Sequence, residues 1–393
     1  MKRRISRTVV AAGVVSFLTD VSAEMIYPLL PAFLATEFGA GAFALGLIEG
    51  VAESTAAILK LVSGVWSDRI RKKKPFVLIG YGLSGAARPL IGLATSWPGV
   101  LAIRLLDRVG KGIRTSPRDA LISDSVDESM WGRSFGLQRA MDHAGSVVGP
   151  MVASALLLLP FMEMRQVFLL AAIPSVFAFL AVFFFVEEKN PVALSPADRQ
   201  PLFKLDWSVL TPEFKRLLIA LFVFSLGLST DAFLLLRLNE VGVSAGWIAF
   251  LWALHGVVKM AATSIGGVLS DRFGDRKLMI SSWIFYSVIY LVFSLDLGRG
   301  TFVAIFLLYG IYHGLSEPSE RSFVSKTASG AQRGTAFGFF HLMTGLAALP
   351  ASVLFGVIWQ SWGSARAFQF GSGLAVVACL ILISVRKTTS VRE

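Results

Sequence analysis

The chain has 393 residues, 54% of them hydrophobic and only 16% charged, with a mean hydropathy of +0.67 and a formal charge of +11. A soluble domain carries about a quarter charged residues, so this balance excludes an ordinary water-soluble fold. The single cysteine, Cys379, excludes an intramolecular disulfide.

Apolar runs of about 20 residues are long enough to cross a bilayer. Twelve occur, roughly at 8–35, 44–64, 75–95, 98–118, 134–160, 166–186, 216–236, 246–266, 278–296, 301–322, 335–360 and 367–385. Backbone groups in lipid must bond within their own segment, so the expected fold class is all-α integral membrane, with twelve transmembrane helices.

The N-terminal stretch "MKRRISRTVVAAGVVSFLTDVSA" has the basic start, apolar run and small residues of a secretory leader. The apolar run continues to Leu34 and eleven spans follow, so it reads as the first span. That span carries Asp20 and Glu24 four residues apart, hence on one helix face. The second carries Glu49 and Glu53 at the same spacing, plus Lys60, and ends in "GVWSDRIRKKK", Gly64 to Lys74.

In the fourth span Arg104, Arg108, Lys111 and Arg118 form a basic stripe with Asp107 beside it. A charge at mid-bilayer costs about 2.5 to 3.5 kcal/mol on insertion scales. The stripe therefore has to face a wet cavity or acidic partners on spans one, two and five. The fifth span holds Arg139, Asp142 and His143, then the small residues Gly136, Gly145 and Gly149 with Pro150. Small residues let helices approach closely, and proline permits a bend.

The longest polar stretch, Glu187 to Arg216, divides the chain into an N-terminal six-helix bundle (1–186), a cytoplasmic linker (187–215) and a C-terminal six-helix bundle (216–393). The halves align: Asp68-Arg69 falls on Asp271-Arg272, 203 residues on, and "GRSFGLQRAM" on "GTAFGFFHLM", 202 on. "SAEM" falls near "STDA", 207 on, which sets Asp231 close to the place of Glu24. Such an internal repeat with six helices per half is a parallel repeat about an axis along the membrane normal. The second half adds His255 and Lys259 in span eight, His313, Glu317 and Glu320 in span ten, and His341 in span eleven. The four histidines, 143, 255, 313 and 341, sit on different spans with no paired spacing, so a proton relay or hydrogen bonding in a polar cavity is favoured over metal ligation.

Basic residues crowd both termini and the even-numbered connections, including Lys2, Arg3, Arg4, Arg7, Arg69, Arg71 to Lys74, Arg272, Arg276 and Lys277. The odd connections hold Arg165, Arg237, Arg299 and Arg366. This asymmetry places both termini in the cytoplasm, in a multi-pass protein of the cytoplasmic (inner) membrane. The positive charge is then a topology signal, and no nucleic-acid partner is expected.

Gly64-x-x-x-Asp68-Arg69 with its basic cluster resembles the cytoplasmic loop motif of the major facilitator superfamily, and Gly267-x-x-x-Asp271-Arg272-x-Gly274 resembles its second copy. Arg71 stands where the family has glycine, and Asp275 where a basic residue is usual. The resemblance implies the major facilitator fold, with Gly64, Asp68, Arg69, Gly267, Asp271 and Arg272 as latches on the cytoplasmic side; Arg71 to Lys74 are read as topology anchors only. Arg104 matches a span-four arginine that the family associates with proton coupling, although Asp107 and Arg108 replace its Gln-Gly pair. Gly136, Gly145, Gly149 and Pro150 resemble the span-five motif of antiporter branches, with Ala153-Ser154 in place of Gly-Gly.

No nucleotide-binding loop, no G-x-S-x-G and no zinc spacing occurs in a soluble stretch, so neither an ATPase nor an enzyme is expected. The expected function is a monomeric secondary active transporter, working by alternating access and exporting a small solute in exchange for protons, without cofactors. Asp20, Glu24, Glu49, Glu53, Asp231, His255, Lys259, His313 and Glu317 would line the substrate and proton cavity. Arg104, Asp107, Arg108, Arg139 and Asp142 would form a buried coupling network. The alternatives are a divalent metal-ion or metal-chelate exporter and, in another class, a lipid flippase.

Overall fold

The first span does not run as one helix. Pro28 and Pro31 each remove a backbone donor, and the chain passes from α1 (Arg7–Glu24) through a 3-10 turn at Tyr27–Leu29 into α2 (Leu30–Phe38). Gly39 closes α2 at φ +57°, the left-handed conformation that suits glycine at a helix C-terminus. Then follow α3 (Ala42–Ile70), α4 (Lys74–Leu90), α5 (Trp97–Asp124), α6 (Trp131–Leu157), α7 (Met164–Leu170) and α8 (Ala172–Phe185).

The second half repeats the break. α9 (Pro212–Gly227) stops before Asp231, and α10 (Ala232–Glu240) restarts. α11 (Ala245–Phe273), α12 (Asp275–Phe293), α13 (Arg299–Thr327), α14 (Arg333–Trp362) and α15 (Ser364–Ser384) complete the chain. Prolines recur inside matching helices: Pro117 in α5 and Pro318 in α13, Pro150 in α6 and Pro350 in α14.

In this computed structural model the described residues are 6–70, 72–126, 131–188, 212–295, 297–327 and 333–384. The side chains of Asp68, Arg69, Asp271, Arg321 and His341, with Gly64, Gly136 and Gly267, lie outside what is described. Among the described residues there is helix and no strand, and nine helical stretches are long and apolar enough to cross a membrane. α5, α6 and α13 are not among the nine, because they carry the intramembrane charges. The protein is apolar outside and polar inside: Phe184 and Phe185 are each 65% exposed while Asp107 is 1% and Arg104 5% exposed. A soluble protein would bury that phenylalanine face, so bilayer lipid is the solvent it fits.

The chain forms two compact units. The first takes Met1–Ala40, Val51–Leu202 and Val243–Leu254, and the second Gly41–Gly50, Phe203–Gly242 and His255–Glu393. In the first, α1 packs on α6 and α8, and α4 on α5 and α8. A Cβ added at Gly80 would lie 2.6 Å from Gly110 O, so the α4–α5 crossing is close enough to require glycine. In the second, α12 packs on α13 and α15, and α9 on α14 and α15.

Candidate functional site

α5 is the polar spine of the first unit. Its inward residues Arg104, Asp107, Arg108, Arg114 and Arg118 are all buried, and Leu106 points outward. Asp107 accepts from Arg88 Nε of α4 at 3.0 Å and faces Arg104 Nη1 at 3.7 Å. Arg88 also donates to Thr19 O of α1 at 2.8 Å, so one guanidinium links three helices. Arg108 Nη2 lies 3.1 Å from Glu53 Oε1 of α3. Arg114 donates to Ser84 Oγ at 2.8 Å and stacks over the Tyr81 ring at 4.3 Å. Pairing of this kind is what lets so many charges stay out of water, since each would otherwise cost several kcal/mol.

α1 presents its acidic face to that spine. The Asp20 carboxyl lies within electrostatic reach of Asp142 of α6, Glu24 and Lys111. Glu24 accepts from Trp252 Nε1 at 2.7 Å and lies within electrostatic reach of Lys111, Arg108 and Arg104. Tyr27 packs against the Trp252 ring at 5.3 Å and beneath Arg104 at 5.9 Å. Gln138 of α6 donates to Ser16 Oγ at 2.8 Å and to Asp142 Oδ1 at 3.4 Å.

The small residues of α6 make this approach possible. A Cβ at Gly145 would meet Phe17 O at 2.5 Å and Asp20 Cβ at 3.0 Å; one at Gly149 would meet Val21 O at 2.6 Å and Glu24 Cβ at 2.9 Å. Both glycines therefore back directly onto the two acidic residues of α1.

The second unit has one acid in an aromatic setting. Asp231, at the break between α9 and α10, accepts from Tyr309 OH at 3.0 Å and faces His313 Nε2 at 3.7 Å. The His255 ring lies against Phe306 at 4.9 Å, Tyr309 at 5.6 Å and His313 at 6.1 Å. Its Nδ1 is 3.0 Å from Phe306 O; a carbonyl only accepts, so Nδ1 carries the proton. Tyr286 and Tyr290 stack at 4.1 Å behind this group, and Ser229 Oγ pairs with Tyr290 OH at 2.7 Å. Lys259 Nζ holds Glu317 Oε1 at 3.1 Å. Among the described residues no group of three or more His, Cys, Asp or Glu is placed to hold a metal ion.

The family model described as the Major Facilitator Superfamily matches residues 12–253 and 217–393. The chain belongs to the major facilitator superfamily. Among its relatives, an uncharacterised MFS-type transporter of Methanocaldococcus jannaschii is 34% identical over 98% of this chain and 96% of its own. The multi-drug resistance efflux pump PmrA of Streptococcus pneumoniae is 26% identical over 96% of each. Of solved structures, the nucleoside transporter NupG superposes with a TM-score of 0.82 over 97% of this chain and 100% of that one, at 15% identity. A bacterial homologue of the human lysosomal transporter Spinster superposes at 0.75 over 98% and 96%, at 16% identity. These likenesses establish the major facilitator fold and a membrane transporter family.

Within this major facilitator protein the residues expected at the site fall into three groups. Asp20, Glu24, Glu53, Arg104, Asp107, Arg108 and Asp142 come together in the first unit; Asp231, His255 and His313 come together in the second, with Lys259 and Glu317 as a separate pair. Glu49 is buried in the short α3 segment assigned to the second unit. Arg139 departs from the expected buried network: its side chain is 55% exposed and reaches Asp142 only at 3.5 Å, because it sits one position off the face of α6 that meets α1. His143 is exposed on α6. Of the two latch hairpins only Arg272 has a described side chain; it is exposed and lies over Phe273 at 5.6 Å. Arg118 pairs locally with Asp119 at 2.8 Å.

Arg88, Arg114, Tyr27, Trp252 and Tyr309 were missed from sequence. Arg88 carried a usable signal, being a charge inside a span followed by proline. Trp252 and Tyr309 carried none, since an aromatic residue in an apolar span reads as packing.

Proposed function

We propose that this major facilitator protein is a proton-coupled exporter of a small solute, built as twelve helices in two parallel six-helix repeats and working by alternating access across the cytoplasmic membrane. The observation that carries the reading is the acidic face of α1. Asp20 of α1 stands beside Asp142 of α6 with Glu24 one turn on, and a proton taken up among these carboxylates would relieve their mutual repulsion. Protonation at this pair removes a negative charge beside Lys111 and Glu24. A solute that competes for Glu24, or for Asp231 in the second unit, would then be exchanged against the proton.

The direction rests on the relatives that bear efflux names and on the α6 glycines that back onto Asp20 and Glu24. Arg104, Asp107 and Arg108 hold the coupling cations in place, and the Asp68–Arg69 and Asp271–Arg272 hairpins act as cytoplasmic latches. The aromatic surround of Asp231 favours amphipathic or cationic solutes, which cation–π contacts stabilise by about 0.5 to 2 kcal/mol.

The test uses the purified protein in liposomes loaded with a pH-sensitive dye. An imposed proton gradient is challenged with lipophilic cations, drugs, sugars, amino acids, nucleosides and divalent metal ions. Antiport predicts that at least one compound dissipates the gradient and that Glu24→Gln removes the response. Solute exchange without proton movement would refute proton coupling.

A further inference from the structure

In the first unit α3 and α5 cross at close quarters. A Cβ added at Gly112 would lie 2.5 Å from Leu59 Cβ, the Ser63 hydroxyl donates to Gly112 O at 2.8 Å, and the Ser116 hydroxyl donates to Lys60 O at 2.7 Å. Two lysines flank that contact, Lys60 next to Leu59 and Lys111 next to Gly112. Their ammonium groups lie within electrostatic reach of each other, and both side chains are half-buried, so water reaches them. The arginines of this unit's wall are matched by acids. Arg88 and Arg104 share Asp107, Arg108 holds Glu53 at 3.1 Å, Arg118 holds Asp119 at 2.8 Å and Arg139 faces Asp142 at 3.5 Å. Lys60 and Lys111 feel Glu53, and Lys111 feels Asp20 and Glu24, but among the described residues neither lysine closes to an ion pair.

We propose that Lys60 and Lys111 receive the acidic group of the transported solute, which is therefore a zwitterion whose ammonium end competes for Glu24. The ammonium end rests on the exchange proposed above; the acidic end is the new element. Two water-accessible cations on one wall concentrate an anion between them, and ionisable groups inside a membrane mark solute pathways. Lys111 is within reach of both Glu24 and Lys60, so the acidic and basic ends of the site are neighbours. A purely cationic solute meets Glu24 but is repelled by the lysines, and a simple anion meets the lysines but is repelled by Asp20 and Glu24. A zwitterion satisfies both ends. Each lysine is a compact charge with rotatable donors, which suits a carboxylate or a phosphate equally.

The experiment is a calorimetric titration of the full chain in lipid nanodiscs, without a proton gradient, using 4-(aminomethyl)benzoate and its uncharged-acid counterpart 4-(aminomethyl)benzamide. The wild type binds the acid saturably and the amide at least tenfold more weakly. Lys60→Gln and Lys111→Gln each weaken the acid at least tenfold and leave the amide within threefold, so the amide reports that the fold is intact. Lys60→Arg, which keeps the charge, retains the preference for the acid. An amide bound as tightly as the acid by the wild type overturns the proposal, as does absence of saturable binding of the acid, or a preference that survives both glutamine variants. Glu24→Gln separates the two readings. If it leaves both affinities unchanged while the lysine variants lose the preference, the lysine subsite stands and the role given to Glu24 falls.

Discussion

Trp252 Nε1 donates to Glu24 Oε2 at 2.7 Å, tying a carboxylate on α1 to the N-terminal part of α11. The indole has no other polar atom, and a carboxylate is its strongest acceptor. Hydrogen bonds to charged groups contribute about 1.5 to 3 kcal/mol. Trp252→Phe is therefore expected to keep the fold and the ring contact with Tyr27 but to change the apparent solute KM by roughly 10- to 100-fold, measured as initial export rates in liposomes. An unchanged KM would remove Glu24 from the solute path.

The buried pair Arg88–Asp107 is expected to matter for stability more than for transport. Removing one partner of a buried pair leaves an uncompensated charge and costs about 3 to 5 kcal/mol. Asp107→Ala should lower the thermal unfolding midpoint in detergent sharply, and Arg88→Met combined with Asp107→Leu should recover most of the loss. A double variant as unstable as the two single losses added together would mean that the two residues act independently.

Gly149→Leu places carbon against Val21 O and the Glu24 stem, where a first Cβ already lies at 2.6 and 2.9 Å. Overpacking costs about 1 to 3 kcal/mol, and here α1 itself must move. Transport should fall at least tenfold at near-normal expression. Gly373→Ala on α15 is the comparison, because nothing lies within 4 Å of its Cβ; it should be neutral or mildly stabilising, by about 0.5 to 1 kcal/mol.

In the second unit Tyr309→Phe deletes the donor to Asp231 while preserving the stack on His255. Solute binding measured by equilibrium titration is expected to shift by roughly tenfold. Asp231→Asn is expected to shift it further, since the charge goes as well. An equal or larger effect of Tyr309→Phe would place the solute on the tyrosine hydroxyl.

Much of this was legible before any coordinates. The offset between "SAEM" and "STDA" sets Asp231 close to the place of Glu24, whereas the breaks at Pro28–Pro31 and at Asp231 emerge only in the structure. The stripe on α5 could be read because charge in lipid is costly, so four cations at helical spacing had to face inward. Its partners were harder. That Asp107 would choose Arg88 depends on the α4–α5 crossing fixed by Gly80 and Gly110, a tertiary fact that spacing does not encode. Arg139 shows the converse: its sequence neighbours suggested burial, while the rotation of α6, set by Gly145 and Gly149 against α1, left it outside. The aromatic cluster around Asp231 was invisible for a similar reason, since Tyr286, Tyr290 and Tyr309 come from two helices and read singly as packing.

Proton coupling through the acidic face of α1 is tested most directly by the Asp20→Asn variant in liposomes. Two quantities are compared on one preparation: solute–solute counterflow without a gradient, and solute accumulation driven by an imposed proton gradient. Counterflow within about threefold of wild type, with gradient-driven accumulation reduced at least tenfold, is the predicted result. Gradient-driven accumulation at the wild-type level in this variant would contradict it.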